Sequence, residues 1–182
     1  MIVDNNIFVR GMSGQVGDQF IVRKGKGGQT IIANKPKFSS DRVFQPEQLA
    51  HQEAFREAIA YAKSAKTNPI YIAKAEGTTK SAFNVAVADW FKAPTVHEID
   101  ISGWSGEIGQ TIQVKAQDDT YVAKVHVVVR DENGILEEGE AVPGDGLWWN
   151  YTTTTQVANS GHTQILATAQ DLARNTAELT YD

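Results

Sequence analysis

At 182 residues the chain is long enough for one large domain or two small ones, and its 41% hydrophobic and 21% charged residues argue against global disorder, a collagen repeat and a coiled coil. The absence of cysteine removes disulfides, thiolate zinc sites, iron–sulfur clusters and cysteine nucleophiles together. The net charge of −5 conceals a division, with 13 Lys or Arg against eight Asp or Glu up to Thr95 and four against 14 from Val96 onward, an asymmetry that marks surfaces with different partners.

The first thirty residues lack the basic start, apolar stretch and small-residue cleavage site of a secretory signal. No apolar run approaches the roughly 18–20 residues that cross a bilayer, the longest being Val125 to Val129. No membrane span is expected, and the expected location is the cytoplasm or a particle released by lysis or injection. Ile7 to Arg10, Val16 to Arg23 and Thr30 to Asn34 read as short strands jointed by Gly11, Gly14, Gly17, Gly25, Gly27 and Gly28, a small basic β-meander.

Pro46 suits the first position of a helix running to about Lys66, and Glu47 meets the positive end of its dipole. Leu49, Phe55, Ala58, Ile59 and Ala62 form its apolar stripe. Asn68-Pro69 starts a shorter helix through Ala75, stopped by Gly77. Ser81 to Phe91 alternates like a strand at Phe83, Val85 and Val87, but alanine content and length favour a helix whose Phe83, Trp90 and Phe91 pack against the first. Pro94 then breaks the pattern, giving an expected basic β-meander and helical domain over 1–94 and a second domain over 95–182.

From Val96 the texture changes to strands separated by turn clusters, the spacing of a β-sandwich. The expected strands are Val96–Ser102, Thr111–Gln117, Ala123–Arg130, Ile135–Ala141, Leu147–Thr154, Thr163–Ala169 and Ala177–Tyr181. In the third, Ala123, Val125, Val127 and Val129 face one way and Lys124, His126, Val128 and Arg130 the other, before a hairpin at Asp131-Glu-Asn-Gly134. The expected core comprises Ile112, Val114, Val125, Val127, Val129, Trp148 or Trp149, Ile165 and Ala167. Glu137, Glu138 and Glu140 read as a charged strand that discourages edge-to-edge aggregation. The fold class is thus α+β in two domains, the second all-β.

Ala116-Gln-Asp-Asp119, the strand Val125–Arg130, Trp148-Trp-Asn-Tyr151 and Ala167-Thr-Ala-Gln-Asp-Leu-Ala-Arg-Asn175 together resemble a bacterial immunoglobulin-like domain. The last stretch is similar to a Thr-Ala-Thr-Asp-Leu-Ala-Gly-Asn ending of such modules, from which Gln170 and Arg174 depart. The whole layout resembles a group of uncharacterised bacterial proteins. In these a glycine-rich basic start, a helix with a motif like Ala58-Ile-Ala-Tyr-Ala-Lys63 and a segment like Ala82-Phe-Asn-Val-Ala-Val-Ala-Asp89 precede an immunoglobulin-like tail. This resemblance implies an immunoglobulin-like sandwich over 95–182 and brings no activity with it.

Chemical motifs are sparse. Gly103-Trp-Ser-Gly106 lacks the Gly-x-Ser-x-Gly spacing and sits between strands, as a turn does. Gly11-Met-Ser-Gly14-Gln-Val-Gly17 and Arg23-Lys-Gly-Lys-Gly-Gly28 resemble phosphate loops in composition alone. His51, His97, His126 and His162 have no paired-ligand spacing for zinc, and Asn150-Tyr-Thr152 is a chance glycosylation match within a strand. Asp118 and Asp119, with Asp171 approaching from another strand, are the weak candidates for Ca²⁺, against solvated turn carboxylates.

No cofactor and no catalytic residue is expected, and the chain is read as not an enzyme. Arg10, Arg23, Lys24, Lys26, Lys35, Lys37 and Arg42 could touch phosphates, but no nucleic-acid signature accompanies them. The favoured partner is another copy of the chain or an acidic protein surface, through the basic Arg23, Lys24 and Lys26 and an apolar arm of Ile2, Val3, Ile7, Phe8 and Val9. The expected function is a structural subunit that self-assembles or joins a phage-like or injection-type particle or filament. The alternative is a carbohydrate- or protein-binding module using end loops around Trp104, Asp118, Asp119 and Asp171.

Overall fold

The structure, a computed structural model, describes residues 2–3, 11–25, 27–37, 43–158 and 160–182. Within them the chain is α+β, with three α-helices between a small antiparallel sheet and a large one. The small sheet comprises β1 (Ile2–Val3), β2 (Gly14–Val16), β3 (Phe20–Lys24) and β4 (Thr30–Asn34) in the order β1-β4-β3-β2. The single strand expected over Val16–Arg23 is instead two strands of a hairpin. Gly17 turns back with φ +57°, and the Gln15 side-chain amide donates to the Gly17 carbonyl at 2.8 Å, so local turn chemistry overrides the apolar alternation. The expected strand Ile7–Arg10 lies outside the described residues, as do Lys26 and Arg42.

Helix α1 (Pro46–Ala65) has Pro46 in its first turn, and the Gln45 backbone N–H donates to Gln48 Oε1 at 3.1 Å. In α2 (Pro69–Ala75) Asn68 Oδ1 accepts from the Ile70 N–H at 2.9 Å, and Gly77 follows at φ +69°. Ser81 Oγ accepts from the Asn84 N–H at 3.2 Å and opens α3 (Ala82–Trp90), so a cap decides the segment whose periodicity was ambiguous. Ala62, Tyr71, Ala75, Val85 and Ala86 form the helical core, with Phe83 and Leu172 packed against it. Trp90 lies 5.3 Å from the Tyr61 ring, while the half-exposed Phe91 lies 6.4 Å from Phe55.

The stripe expected on α1 is narrower than its sequence. Ala58 and Ala62 are fully buried, but Leu49 and Phe55 are about half exposed. Length explains this: the 20 residues of α1 span about 30 Å and the nine of α3 about 14 Å, so α3 cannot cover all of α1.

The large sheet contains β5 (Thr95–Asp100), β6 (Thr111–Gln117), β7 (Val122–Asp131), β8 (Gly134–Pro143), β9 (Trp148–Thr152), β10 (Gln164–Asp171) and β11 (Thr176–Tyr181). Their order is β11-β10-β7-β8-β9-β6-β5, antiparallel throughout, and β5 packs back toward β11, so the sheet wraps most of the way around one core. The connections β6–β7 and β9–β10 each cross from one half of this order to the other. β10 alternates without a break, burying Ile165, Ala167, Ala169 and Asp171.

Every residue of the expected core is buried, with Trp149 taking the aromatic position. Its neighbour Trp148 turns outward beneath the Lys115 ammonium at 5.5 Å. One position in β7 is reversed: Val122 is buried and Ala123 exposed, because the β7–β10 register shifts at Gln170/Asp171 and a bulge re-aims the side chains before it. The Asp131–Gly134 hairpin closes as expected, Asp131 Oδ1 accepting from the N–H groups of Asn133 and Gly134.

Candidate functional site

The densest group of titratable side chains lies where α3 meets the β6–β7 loop and the β10–β11 turn. Asp89, in the last turn of α3, is 1% exposed. Its Oδ2 accepts from the Tyr71 hydroxyl at 2.5 Å, and that hydroxyl lies 2.6 Å from the Tyr61 hydroxyl. Burial pushes the Asp89 carboxyl above its usual range; the Tyr71 and Thr120 hydroxyls oppose this, and the charges of Asp171 and Asp118 add to it. Burial also raises Tyr71, assisted by its bond to Asp89.

Asp118 and Asp119 follow β6. Asp118 Oδ1 accepts from the Thr120 N–H at 2.7 Å and the Tyr121 N–H at 2.8 Å, an Asx turn that fixes the loop. Asp119 Oδ2 accepts from the Lys92 ammonium, and this bond first, then the Asp119 charge, raises Lys92, while the Asp119 carbonyl accepts from Lys74 Nζ at 2.8 Å. Two lysines of the basic half are thus already paired with the acidic half of the same chain.

Asp171 does not join this group as the sequence suggested. It ends β10, is 2% exposed, and is held by Asn175, whose backbone N–H and side-chain amide each donate to it at 2.7 Å. The same amide donates to the carbonyls of Asp89 at 3.0 Å and Lys92 at 3.1 Å, so it pins the β10–β11 turn to the end of α3. Burial raises the Asp171 carboxyl, the bonds from Asn175 oppose this, and the charge of Asp118 adds to it. The carboxylates that do converge are Asp89, Asp118 and Asp119, each with an oxygen within 4.8 Å of the others. Sequence reasoning missed Asp89, although Val85, Ala86 and Asp89 fall on one helical face, which makes an acid on the buried stripe of α3 legible in principle.

Two further expectations are corrected. Trp104 belongs to the core of the large sheet, only 6% exposed, because the Gly103–Gly106 turn folds its ring inward; it is not a surface for a ligand. Glu137 is also buried, since Glu137 Oε2 accepts from the Tyr151 hydroxyl at 3.2 Å and from the N–H groups of Thr154 at 2.7 Å and Thr155 at 3.2 Å. It fastens the end of β9 to β8, and only Glu138 and Glu140 stay on the outer face opposite His126 and Lys124. Beside this region a depression of about 650 Å³ is lined by Asp131, Glu132, Asn133, Gln156, His162 and Thr163 among others.

Of the residues expected to serve assembly, Arg23 and Lys24 are exposed on β3. Ile2 and Val3 pair with Ile31 and Thr30 of the same chain, while Ile7, Phe8, Val9 and Lys26 lie outside the described residues. No helix among the described residues is long and apolar enough to cross a membrane.

No protein-family profile and no curated protein matches the chain. Among solved structures it is similar to an engineered protein at 21% identity and a TM-score of 0.37, over 54% of this chain and 25% of that one. A double mutant of the Cellulomonas fimi endo-β-1,4-mannanase is similar at 24% identity and 0.34, over 58% and 23%. The chain therefore spans about a quarter of the length of either, and likenesses of this size carry no argument about activity.

Proposed function

We propose that the chain is a non-catalytic structural subunit that works by assembling, with copies of itself or on an acidic protein surface, in a filament or a phage-like or injection-type particle. The observation that carries this reading is the thin cover that the described residues give the four-stranded sheet. Val22 and Thr30 are buried there, whereas Val16 and Phe20 on its strands and Met12 beside them are each at least 40% exposed. A small sheet needs something packed on its apolar face, and a neighbouring copy supplies it with complementary charge: Arg23 and Lys24 are exposed on β3, while residues from Val96 onward carry a net −10.

Contact between unlike surfaces is heterologous and builds rings or open filaments. The seven strands are read here as an immunoglobulin-like sandwich of β11-β10-β7-β8 against β9-β6-β5. In support, β8 passes to β9 only through Val142 and Pro143, and one core lies between the two groups. Immunoglobulin-like modules serve as adhesive or decorating units, an analogy of fold only. Negative-stain electron microscopy of concentrated protein at low salt is expected to display rings or filaments; dispersed single particles of 19.9 kDa at every concentration would contradict self-assembly.

The polar depression beside Asp131 and His162 favours a second reading, a carbohydrate- or protein-binding module. Binding of the intact chain to a glycan array, lost on filling the depression with Thr163→Trp, would select that reading.

A further inference from the structure

Three carboxylates within 4.8 Å of one another repel, and the donors around them do not reach every oxygen. Tyr71 serves Asp89 Oδ2, the amides of Thr120 and Tyr121 serve Asp118 Oδ1, and the Lys92 ammonium serves Asp119 Oδ2. Asp89 Oδ1, on a residue 1% exposed, and Asp118 Oδ2 are buried with no hydrogen bond of ordinary geometry, although the Thr120 hydroxyl faces the Asp89 carboxyl. Buried polar atoms are rarely left this way, because each unsatisfied group costs about 1–3 kcal/mol and a charged one more.

We propose that Asp89, Asp118 and Asp119 together bind one Ca²⁺ ion, which joins the last turn of α3 to the β6–β7 loop. The donors are all hard oxygens, so the set suits Ca²⁺ or Mg²⁺ better than zinc, whose sites ordinarily include nitrogen or sulfur beside any carboxylate. Coordination habit selects between the first two: Ca²⁺ accepts an irregular set of carboxylate oxygens drawn from separate elements at about 2.3–2.6 Å, whereas Mg²⁺ demands a near-regular octahedron at about 2.0–2.1 Å and keeps most of its water. Asp89 supplies Oδ1 and Asp118 supplies Oδ2. Asp119, partly solvated, supplies its second oxygen while Oδ2 stays on Lys92, and water completes the shell. Asp171, already held by Asn175, remains outside it. The ion ties the helical segment to the sheet at the point where Asn175 also bridges them.

The test is calorimetric titration of the full-length, EDTA-treated protein with CaCl₂, alongside thermal unfolding. One saturable site with Kd of about 10⁻⁵–10⁻³ M is expected, with Tm rising by about 5 °C at a hundredfold excess over Kd. Asp89→Asn and Asp118→Asn should each weaken binding at least tenfold while far-UV circular dichroism is unchanged. Should either fail to fold, Asp119→Asn, at a more exposed position, reads the same loss. Absence of heat and of any Tm shift with CaCl₂ would overturn the proposal, as would wild-type affinity in the folded variants. An equal response to MgCl₂ would overturn the assignment to Ca²⁺.

Discussion

The two sheets of this chain differ in what covers them. The seven-stranded sheet closes on its own core, in which Ile112, Val114, Val125, Val127 and Val129 are fully buried and supplied by β6 and β7. The four-stranded sheet has Val22 as its one buried apolar residue among those described. Both have glycine turns and alternating strands, so the difference lies in packing: a sheet that wraps around itself covers its apolar face, and a short meander must find cover elsewhere.

Truncations should separate the two regions most sharply. Ile112→Ala should cost about 2–5 kcal/mol in urea unfolding, by lost transfer energy and a cavity that β6 and its neighbours cannot collapse into. Phe20→Ala in the small sheet should change the same midpoint by about 0.5 kcal/mol or less at concentrations low enough to keep the chain dispersed. A loss at Phe20 equal to that at Ile112 would erase the contrast.

At alkaline pH the difference between wild type and Tyr151→Phe isolates the large sheet, because the raised Tyr71 of the helical core is common to both proteins. Burial first, then the charge of Glu137, pushes the Tyr151 hydroxyl up to about 12 from 10.0. Because the folded value is raised, its contribution is complete below pH 10 and is lost as pH rises toward 12. That loss amounts to about 2–3 kcal/mol, which Tyr151→Phe should abolish even though Phe starts from a lower stability. Parallel pH profiles of the two proteins between pH 9 and 12 would contradict the assignment.

Asn175→Ala removes the donor shared by Asp171 and the end of α3, and should cost about 1–3 kcal/mol. Hydrogen exchange should rise at the C-terminal turn of α3 and in the β10–β11 turn together; a rise in one alone would mean that they are not coupled there. An effect of opposite sign is expected at Arg174, which holds φ +71° in that same turn. Arg174→Gly should raise stability by about 1 kcal/mol, since glycine adopts that backbone without the side-chain clash.

Much of this architecture is legible in the sequence, for identifiable reasons. The large sheet's strands lie within a few residues of their expected positions, because all but β11 carry buried residues and turn clusters separate them. Pro46, Asn68-Pro69 and Ser81 mark the helix starts because caps are local chemistry. Long-range geometry is not legible in this way. Gly17–Gln19 outranks the apolar run that contains it, and Trp104 turns inward from a loop. Glu137 leaves the charged face to meet a strand end 17 residues later. At the junction, Asp118 and Asp119 were visible as neighbours in sequence. Their true third member, Asp89, arrives from a helix, and its acid on an apolar stripe was the available signal.

Whether another copy completes the thinly covered basic sheet is read from light scattering at low and high salt, on the full chain and on one lacking residues 1–10. A mass well above 19.9 kDa at low salt is expected, falling as salt screens the contact and falling further without the N-terminal residues. A monomer of 19.9 kDa at high concentration under every condition would contradict it.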